Sequence, residues 1–247
     1  MIRLNAFLSV VASGRPGSHI SDPFDCDVYM VETEEGLVLI DAGVGPVGDA
    51  PLLAVREAGY KLSDVKRILL THGHADHSGN AAYLREMTGA TVMAHEQCAR
   101  YVSEGDLDAI ALKGAIAAGL YPADYRFTPC PVTPLLDGET IEMGKMRFTA
   151  IDTPGHCSGH MCYLLEHEGK RYLFAGDSIF VGGKITLQNI WDCSIQDYAA
   201  TAKRLCELDF DALLPAHFGI DMREGKAHVE RAAAVFDSLQ VPAQAGR

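Results

Sequence analysis

The sequence predicts an α/β fold, a four-layer αβ/βα sandwich with helices flanking two sheets. Strand-like apolar runs alternate with helical patterns through both halves of the chain. Four of those runs end abruptly in turns that carry His or Asp beside Gly or Pro. At 247 residues, 48% hydrophobic and 22% charged, the chain can bury a substantial core and needs no covalent staples. Residues 1–247 are read as a single domain.

The first strand is expected over residues 2–11. Its apolar run is broken by Asn5 and Ser9 and is short for the hydrophobic part of a secretion leader. Strands follow near 27–32 and 37–41, then a helical stretch over 47–58 and a strand over 67–70. A histidine-rich turn leads to a short helix over 80–88 and a strand over 91–94. Residues 96–134 read as a helical insert expected to cover the active site. Ala99, Val102, Leu107, Ile110, Ala111 and Ile116 give it a helical pattern, and Pro122, Pro129, Pro131 and Pro134 end it as a proline-rich link. The second half repeats the scheme with strands near 146–151, 161–166 and 171–175. A helix over 196–208 follows, with Tyr198, Ala202, Leu205 and Leu208 at helical spacing. A strand over 211–214 and a helix over 226–239 close the chain.

The most informative stretch is Thr71-His72-Gly73-His74-Ala75-Asp76-His77, directly after the apolar Ile68-Leu69-Leu70. A strand delivers the chain, and a tight turn then brings three imidazoles and a carboxylate into one space. Those groups are the ordinary ligands of Zn²⁺ and similar metals. The same arrangement recurs at His156 after Phe148-Thr149-Ala150-Ile151, at Asp177 after Tyr172-Leu173-Phe174-Ala175, and at His217 after Ala212-Leu213-Leu214. Glycine and proline at these corners let the backbone turn sharply, so that the side chain stands clear of the strand end.

This set resembles the metallo-β-lactamase superfamily, whose signature is HxHxDH followed by a lone His, a bridging Asp and a final His. The resemblance runs from Leu37-Val38-Leu39-Ile40-Asp41-Ala42-Gly43 to His217, and it implies a sandwich of the metallo-β-lactamase type. By position it implies that His72, His74 and His156 hold one metal, that Asp76, His77 and His217 hold a second, and that Asp177 bridges them. Asp41 falls where the family has a carboxylate that orients ligating imidazoles. Two divalent ions are therefore expected, Zn²⁺ first, with Mn²⁺ or Fe²⁺ accepting the same donors. Such a pair lowers the pKa of a shared water to about 7 and so supplies hydroxide near neutral pH. Asp76 can be both a ligand and the catalytic carboxylate that takes or orients a proton. Ser158 and Ser178 lie outside any GxSxG elbow, and Cys157 reads as a buried thiol.

The formal charge of −12 and the lack of a basic stripe speak against nucleic acid as a partner. No segment has the length of a membrane span. The expected partner is a small-molecule substrate, with a homodimer left open. Seven cysteines without a CxxC pair read as reduced thiols of a cytoplasmic protein. His95 reads as structural, and His19, His167 and His228 as ordinary solvated residues.

Asp177 at the bridging position speaks against hydrolysis of β-lactam antibiotics. The stretches around His156 and Asp177 are similar to those of glyoxalase II thioesterases. Thirty residues follow His217, too few for the helical domain with which those enzymes hold glutathione. Quorum-quenching N-acyl homoserine lactonases share the ligand set but place Tyr where this chain has Phe180, which has no hydroxyl to donate. Phe180, Lys184 and Trp191 are expected to line the pocket, Lys184 as a partner for a substrate carboxylate and Trp191 as a wall. The expected function is a dinuclear metal-dependent hydrolase of a small-molecule carboxylic ester, thioester or lactone. The alternatives are an N-acyl homoserine lactone lactonase, a mononuclear iron oxygenase of the persulfide dioxygenase type using His72, His156 and Asp177, and a non-catalytic metal-stabilised binding module.

Overall fold

A computed structural model describes residues 1–45 and 49–246. The chain divides into two compact units, Met1–Leu135 and Leu136–Arg247. Each is a sheet with its own helices, which is the mixed α/β class expected.

The first unit carries a seven-stranded sheet in the order β1 (Ile2–Arg3), β2 (Leu8–Ala12), β3 (Val28–Thr33), β4 (Gly36–Ile40), β5 (Val65–Leu69), β6 (Thr91–His95) and β7 (Thr133–Leu135). Pairing is antiparallel from β1 to β4 and parallel from β4 to β7. The central β4 is a continuous apolar run with Leu37, Val38, Leu39 and Ile40 all buried, as a strand covered on both faces requires. Each such side chain contributes about 1.5–3 kcal/mol. Helices α1 (Ala50–Glu57), α2 (Ala75–Ser78), α3 (Ala81–Thr88), α4 (Glu96–Glu104) and α5 (Leu112–Ala117) complete the unit. Gly89, at φ 75°, ends α3 in the left-handed conformation that glycine adopts without penalty.

The second unit carries a five-stranded sheet in the order β12 (Ala212–Pro215), β11 (Lys170–Gly176), β10 (Met161–His167), β9 (Met146–Asp152) and β8 (Thr140–Met143). Only β11 and β12 pair in parallel. Helices α6 (Ile195–Cys206) and α7 (Gly225–Asp237) pack Ala202, Leu205, Val229 and Ala232 against Cys162, Leu164, Leu173 and Leu213. Ser194 caps α6 by accepting from the Asp197 amide at 3.2 Å, one of the donors a helix start leaves without a partner in the helix.

The structure differs from the sequence expectations at several places. The single strand over 2–11 is a hairpin of β1 and β2, because the Asn5 carboxamide accepts from the amides of Phe7 and Leu8 at 3.0 and 2.9 Å and turns the chain. The proline-rich link contains β7, in which Pro134 pairs opposite Ala94; an edge strand tolerates the missing N–H. Thr140-Ile141-Glu142-Met143 forms β8, with Ile141 and Met143 buried and Thr140 and Glu142 exposed. Leu208 lies beyond the end of α6 yet still packs on its core. The helix expected over 47–58 begins at Ala50, and Val47 lies outside the described residues. Among the described residues no helix is long and apolar enough to cross a membrane.

Candidate metal centre

The seven expected ligands fall four in the first unit and three in the second, and within each unit the fold brings them together. In the first unit β5 ends at Leu69, and the turn after it carries His72 and then His74, which starts the one-turn helix α2. Asp76 and His77 ride on that helix. Gly73 is required, because a Cβ there would meet Ile110 Cγ2 at 2.9 Å.

His72 Nε2 and His74 Nδ1 face each other at 3.0 Å, and His77 Nε2 lies 3.4 Å from Asp76 Oδ2. Asp41, fully buried just beyond β4, sets the proton positions. Its carboxylate accepts from the Thr71 amide at 2.7 Å, from Thr71 Oγ1 at 2.9 Å and from His77 Nδ1 at 2.9 Å. His77 therefore carries its proton on Nδ1 and turns the Nε2 lone pair towards Asp76. Thr71 gives its one proton to Asp41, so its oxygen accepts from His72 Nδ1 at 3.1 Å and leaves His72 Nε2 as a lone pair. Asp41 adopts φ 63°, a left-handed backbone that Asp tolerates better than most residues. Withdrawal from water lowers His74 to about 4, against the nearby Asp76, which raises it. His74 is thus neutral at pH 7, the form that binds a metal.

In the second unit β9 runs into Thr153-Pro154-Gly155-His156, β11 ends at Gly176 before Asp177, and β12 ends at Pro215 before Ala216-His217. The Asp177 carboxylate is divided between two imidazoles. Oδ2 lies 3.5 Å from His156 Nε2, and Oδ1 lies 3.7 Å from His217 Nε2.

Three side chains that sequence reasoning did not single out, His160, Thr153 and Tyr198, hold this arrangement. The fully buried His160 accepts the Asp177 amide on Nε2 at 3.1 Å. Its proton is then on Nδ1, donated to Thr153 Oγ1 at 2.8 Å, so both ring nitrogens of His160 are engaged in positioning Asp177. Tyr198, read from the sequence as helix core, places its hydroxyl 3.3 Å from His156 Nδ1, 3.2 Å from the Asp177 carbonyl and 3.0 Å from the Thr186 carbonyl. The hydroxyl proton goes to a carbonyl, and the oxygen accepts from His156 Nδ1, freeing Nε2 on the Asp177 side. Burial pushes the Tyr198 phenol well above its ordinary range, so it stays protonated. The second histidine of Gly155-His156-Cys157-Ser158-Gly159-His160 was the one available signal for His160.

Two donors on a tetrahedral metal with bonds of about 2.1 Å sit about 3.4 Å apart. The four donor pairs span 3.0–3.7 Å. The chemistry and spacing of the donor set therefore fit divalent metal ions. Cys26 also offers its sulfur within 4.8 Å of Asp41 and His77, but burial drives its thiol far above its ordinary range.

The remaining expected pocket residues lie in the second unit. Phe180 is fully buried, its ring 6.5 Å from that of His217 and 5.1 Å from that of Phe218. Lys184 is exposed at the far end of a tight turn in which the Phe180 amide donates to the Lys184 carbonyl at 2.9 Å. Trp191 is 62% exposed. His95 is structural, as expected; its Nδ1 accepts the Gln97 amide and starts α4. His228 is not an ordinary solvated residue, for it bridges Asp221 Oδ2 at 2.9 Å and the Gly182 amide at 3.1 Å. The insert does reach the ligand segment within the first unit. Its Ile110, Leu112, Tyr121 and Tyr125 pack with Ala75, and the Tyr121 hydroxyl donates to Asp76 Oδ1 at 3.1 Å.

The profile of the metallo-beta-lactamase superfamily matches residues 21–217. The chain belongs to that superfamily. It is 32% identical over 138 residues to a hydroxyacylglutathione hydrolase of Methylobacterium nodulans, a match that covers 56% of this chain and 42% of that protein. It is 29% identical over 213 residues to the human acyl-coenzyme A thioesterase MBLAC2, covering 78% of this chain and 72% of that one. Among solved structures it is similar to the metallo-beta-lactamase family protein TTHA1429 of Thermus thermophilus. That match has a TM-score of 0.74 at 25% identity and covers 96% of this chain and 81% of that one. The chain thus spans less than half of the Methylobacterium protein. The fold is that of the superfamily, and the relatives just named by sequence are a hydrolase and a thioesterase.

Proposed function

We propose that the two half-sets converge on two divalent metal ions and that the protein is a metal-dependent hydrolase of a small-molecule thioester, with esters and lactones as neighbouring substrates. The observation that carries this is the division of Asp177, whose two oxygens each face a different imidazole. One metal would be held by His72, His74, His156 and Asp177, and the other by Asp76, His77, His217 and Asp177. Zinc suits these donors, and Mn²⁺ or Fe²⁺ accept them. The metals would supply a water acidic enough to attack near pH 7 and a positive field over the developing oxyanion.

The chain's own residues do the rest. Asp41 and Thr71 fix the tautomers of His77 and His72, and Tyr198 fixes that of His156. Asp76 would be a ligand, and its Oδ1, which also accepts from Tyr121 at 3.1 Å, would orient a proton of the attacking water. The names of the relatives favour a thioester over the other acyl substrates. Seven free thiols suit a cytoplasmic setting.

The test is elemental analysis of protein purified without added metal, paired with thiol release from a panel of acyl thioesters. The expected result is about two metal ions per chain and thiol release that is lost in His72→Ala and Asp177→Ala. A single iron with oxygen consumption and no hydrolysis, or metal content unchanged in both variants, refutes it.

A further inference from the structure

We infer that Tyr121, in the segment between α5 and β7, is a positioning residue for Asp76. Its hydroxyl fixes the carboxylate in the rotamer that the second metal position requires, a role that rests on the hydrolase reading above.

Asp76 sits on a helix of a single turn, and its side chain is 20% exposed. A carboxylate there has rotamers to choose from, and a ligand must keep one of them. The two oxygens have separate partners: Oδ2 faces His77 Nε2 at 3.4 Å, and Oδ1 accepts from Tyr121 at 3.1 Å. The tyrosine reaches across 45 positions of sequence to do this, and its ring is braced where it stands. Phe24 lies 5.7 Å from it and Tyr125 5.4 Å, both tilted. Tyr125 is in turn tied to the backbone, its hydroxyl donating to the Val44 carbonyl at 2.6 Å. Beneath them Ile110, Leu112 and Tyr101 pack on Ala75, the first residue of α2. The insert and the ligand helix thus share one core, and the hydroxyl is delivered to Oδ1 by a rigid support. A carboxylate oxygen can only accept, so the Tyr121 hydroxyl is the donor in this bond. Partners that orient metal ligands in this way are worth about 10- to 100-fold in metal affinity or activity.

The test compares Tyr121→Phe with the wild-type chain by chelator competition, titrating the first and second zinc equivalents separately. The variant keeps the ring and its packing and removes only the donor. The second equivalent should weaken about 10-fold with the first unchanged, and kcat for a thioester should fall by a similar factor at constant KM. Tyr60→Phe removes a hydroxyl that donates to Glu32 Oε2 at 2.9 Å and should leave both equivalents as they are. A Tyr121→Phe chain that matches wild type at both equivalents overturns the inference, as does a Tyr60→Phe chain that loses the second equivalent equally. A measurement on the unaltered chain guards against a variant that does not fold. The second zinc equivalent should shift the ring carbon resonances of Tyr121, and an unmoved resonance overturns the role. Wild-type protein that takes up no zinc removes the hydrolase reading and this role together. Two equivalents bound by wild type confine any failure to Tyr121.

Discussion

Replacing Asp41 by Asn should invert the tautomer of His77. Asn accepts the left-handed backbone at φ 63° as readily as Asp does, so the substitution changes charge and hydrogen bonding but not the chain path. In the native site one carboxylate oxygen serves the Thr71 amide at 2.7 Å, and the other serves His77 Nδ1 at 2.9 Å. An amide can keep its oxygen on the Thr71 side only by turning its NH₂ towards His77. Two donors then face each other, and the imidazole relieves the clash by moving its proton to Nε2, the nitrogen that faces Asp76. The loss of a hydrogen bond to a charged group is worth about 2–3 kcal/mol, or about 30- to 150-fold in metal affinity. Global stability should fall by less, because the amide is cheaper to bury than the carboxylate. Zinc affinity by chelator competition, a urea melt of the metal-free protein and the nitrogen shifts of His77 would give the three quantities. An Asp41→Asn protein with wild-type zinc affinity and the proton still on Nδ1 would refute the reasoning.

Tyr198→Phe removes the acceptor for His156 Nδ1 in a fully buried setting. It should cost about 1–3 kcal/mol, read as a lower thermal midpoint; an unchanged midpoint would mean that the hydroxyl does not serve His156. Gly155→Ala should lose about 2–3 kcal/mol or more, since φ is 136° and the new Cβ would meet the Tyr198 amide nitrogen at 2.7 Å; equal urea midpoints would contradict that close approach. Asp221 is held down at about 2 by the amides of Glu224 and Arg223 and by His228. Because its folded value lies below the unfolded one, its stabilisation is present above pH 4 and fades as pH falls through about 2. The full shift is roughly 2.4 kcal/mol, reduced to about 1 kcal/mol because the carboxylate is in contact with solvent. The gap in urea midpoint between wild type and Asp221→Asn should close between about pH 4 and pH 2, and a gap that persists at pH 2 would place the effect elsewhere.

Much of the scaffold was legible because its signals are local. Leu37-Val38-Leu39-Ile40 has the continuous apolar character of a buried strand, and β5, β9, β11 and β12 end where turns bearing His or Asp follow. The candidate ligands were picked out in the same way, from residue type and spacing. The orienting partners were not. Tyr198 satisfies a helical apolar pattern, and nothing in that pattern says that its hydroxyl meets His156. Tyr121 lies among prolines, 45 residues from the carboxylate it serves. His160 carries the same side chain as a ligand, and only the amide of Asp177 and the Thr153 hydroxyl distinguish its role. The short strands β7 and β8 escaped for opposite reasons. Pro134 argues against a strand anywhere but at an edge, whereas the alternation in Thr140-Ile141-Glu142-Met143 was present over only four residues.

Those same short strands bear on how the protein behaves when crowded. The outermost strands of the two sheets, β1, β7, β8 and β12, have two, three, four and four residues. Two of them contain a proline, and β12 is further covered by the chain's own Asp221, which exchanges backbone hydrogen bonds with Leu213 at 2.7 and 3.0 Å. A neighbouring chain therefore finds little free ladder to extend, and growth of fibrils by strand addition is blocked at the sheet rims. Self-association, where it occurs, has to use side-chain surfaces, and it can then be tuned by surface substitution without touching either sheet.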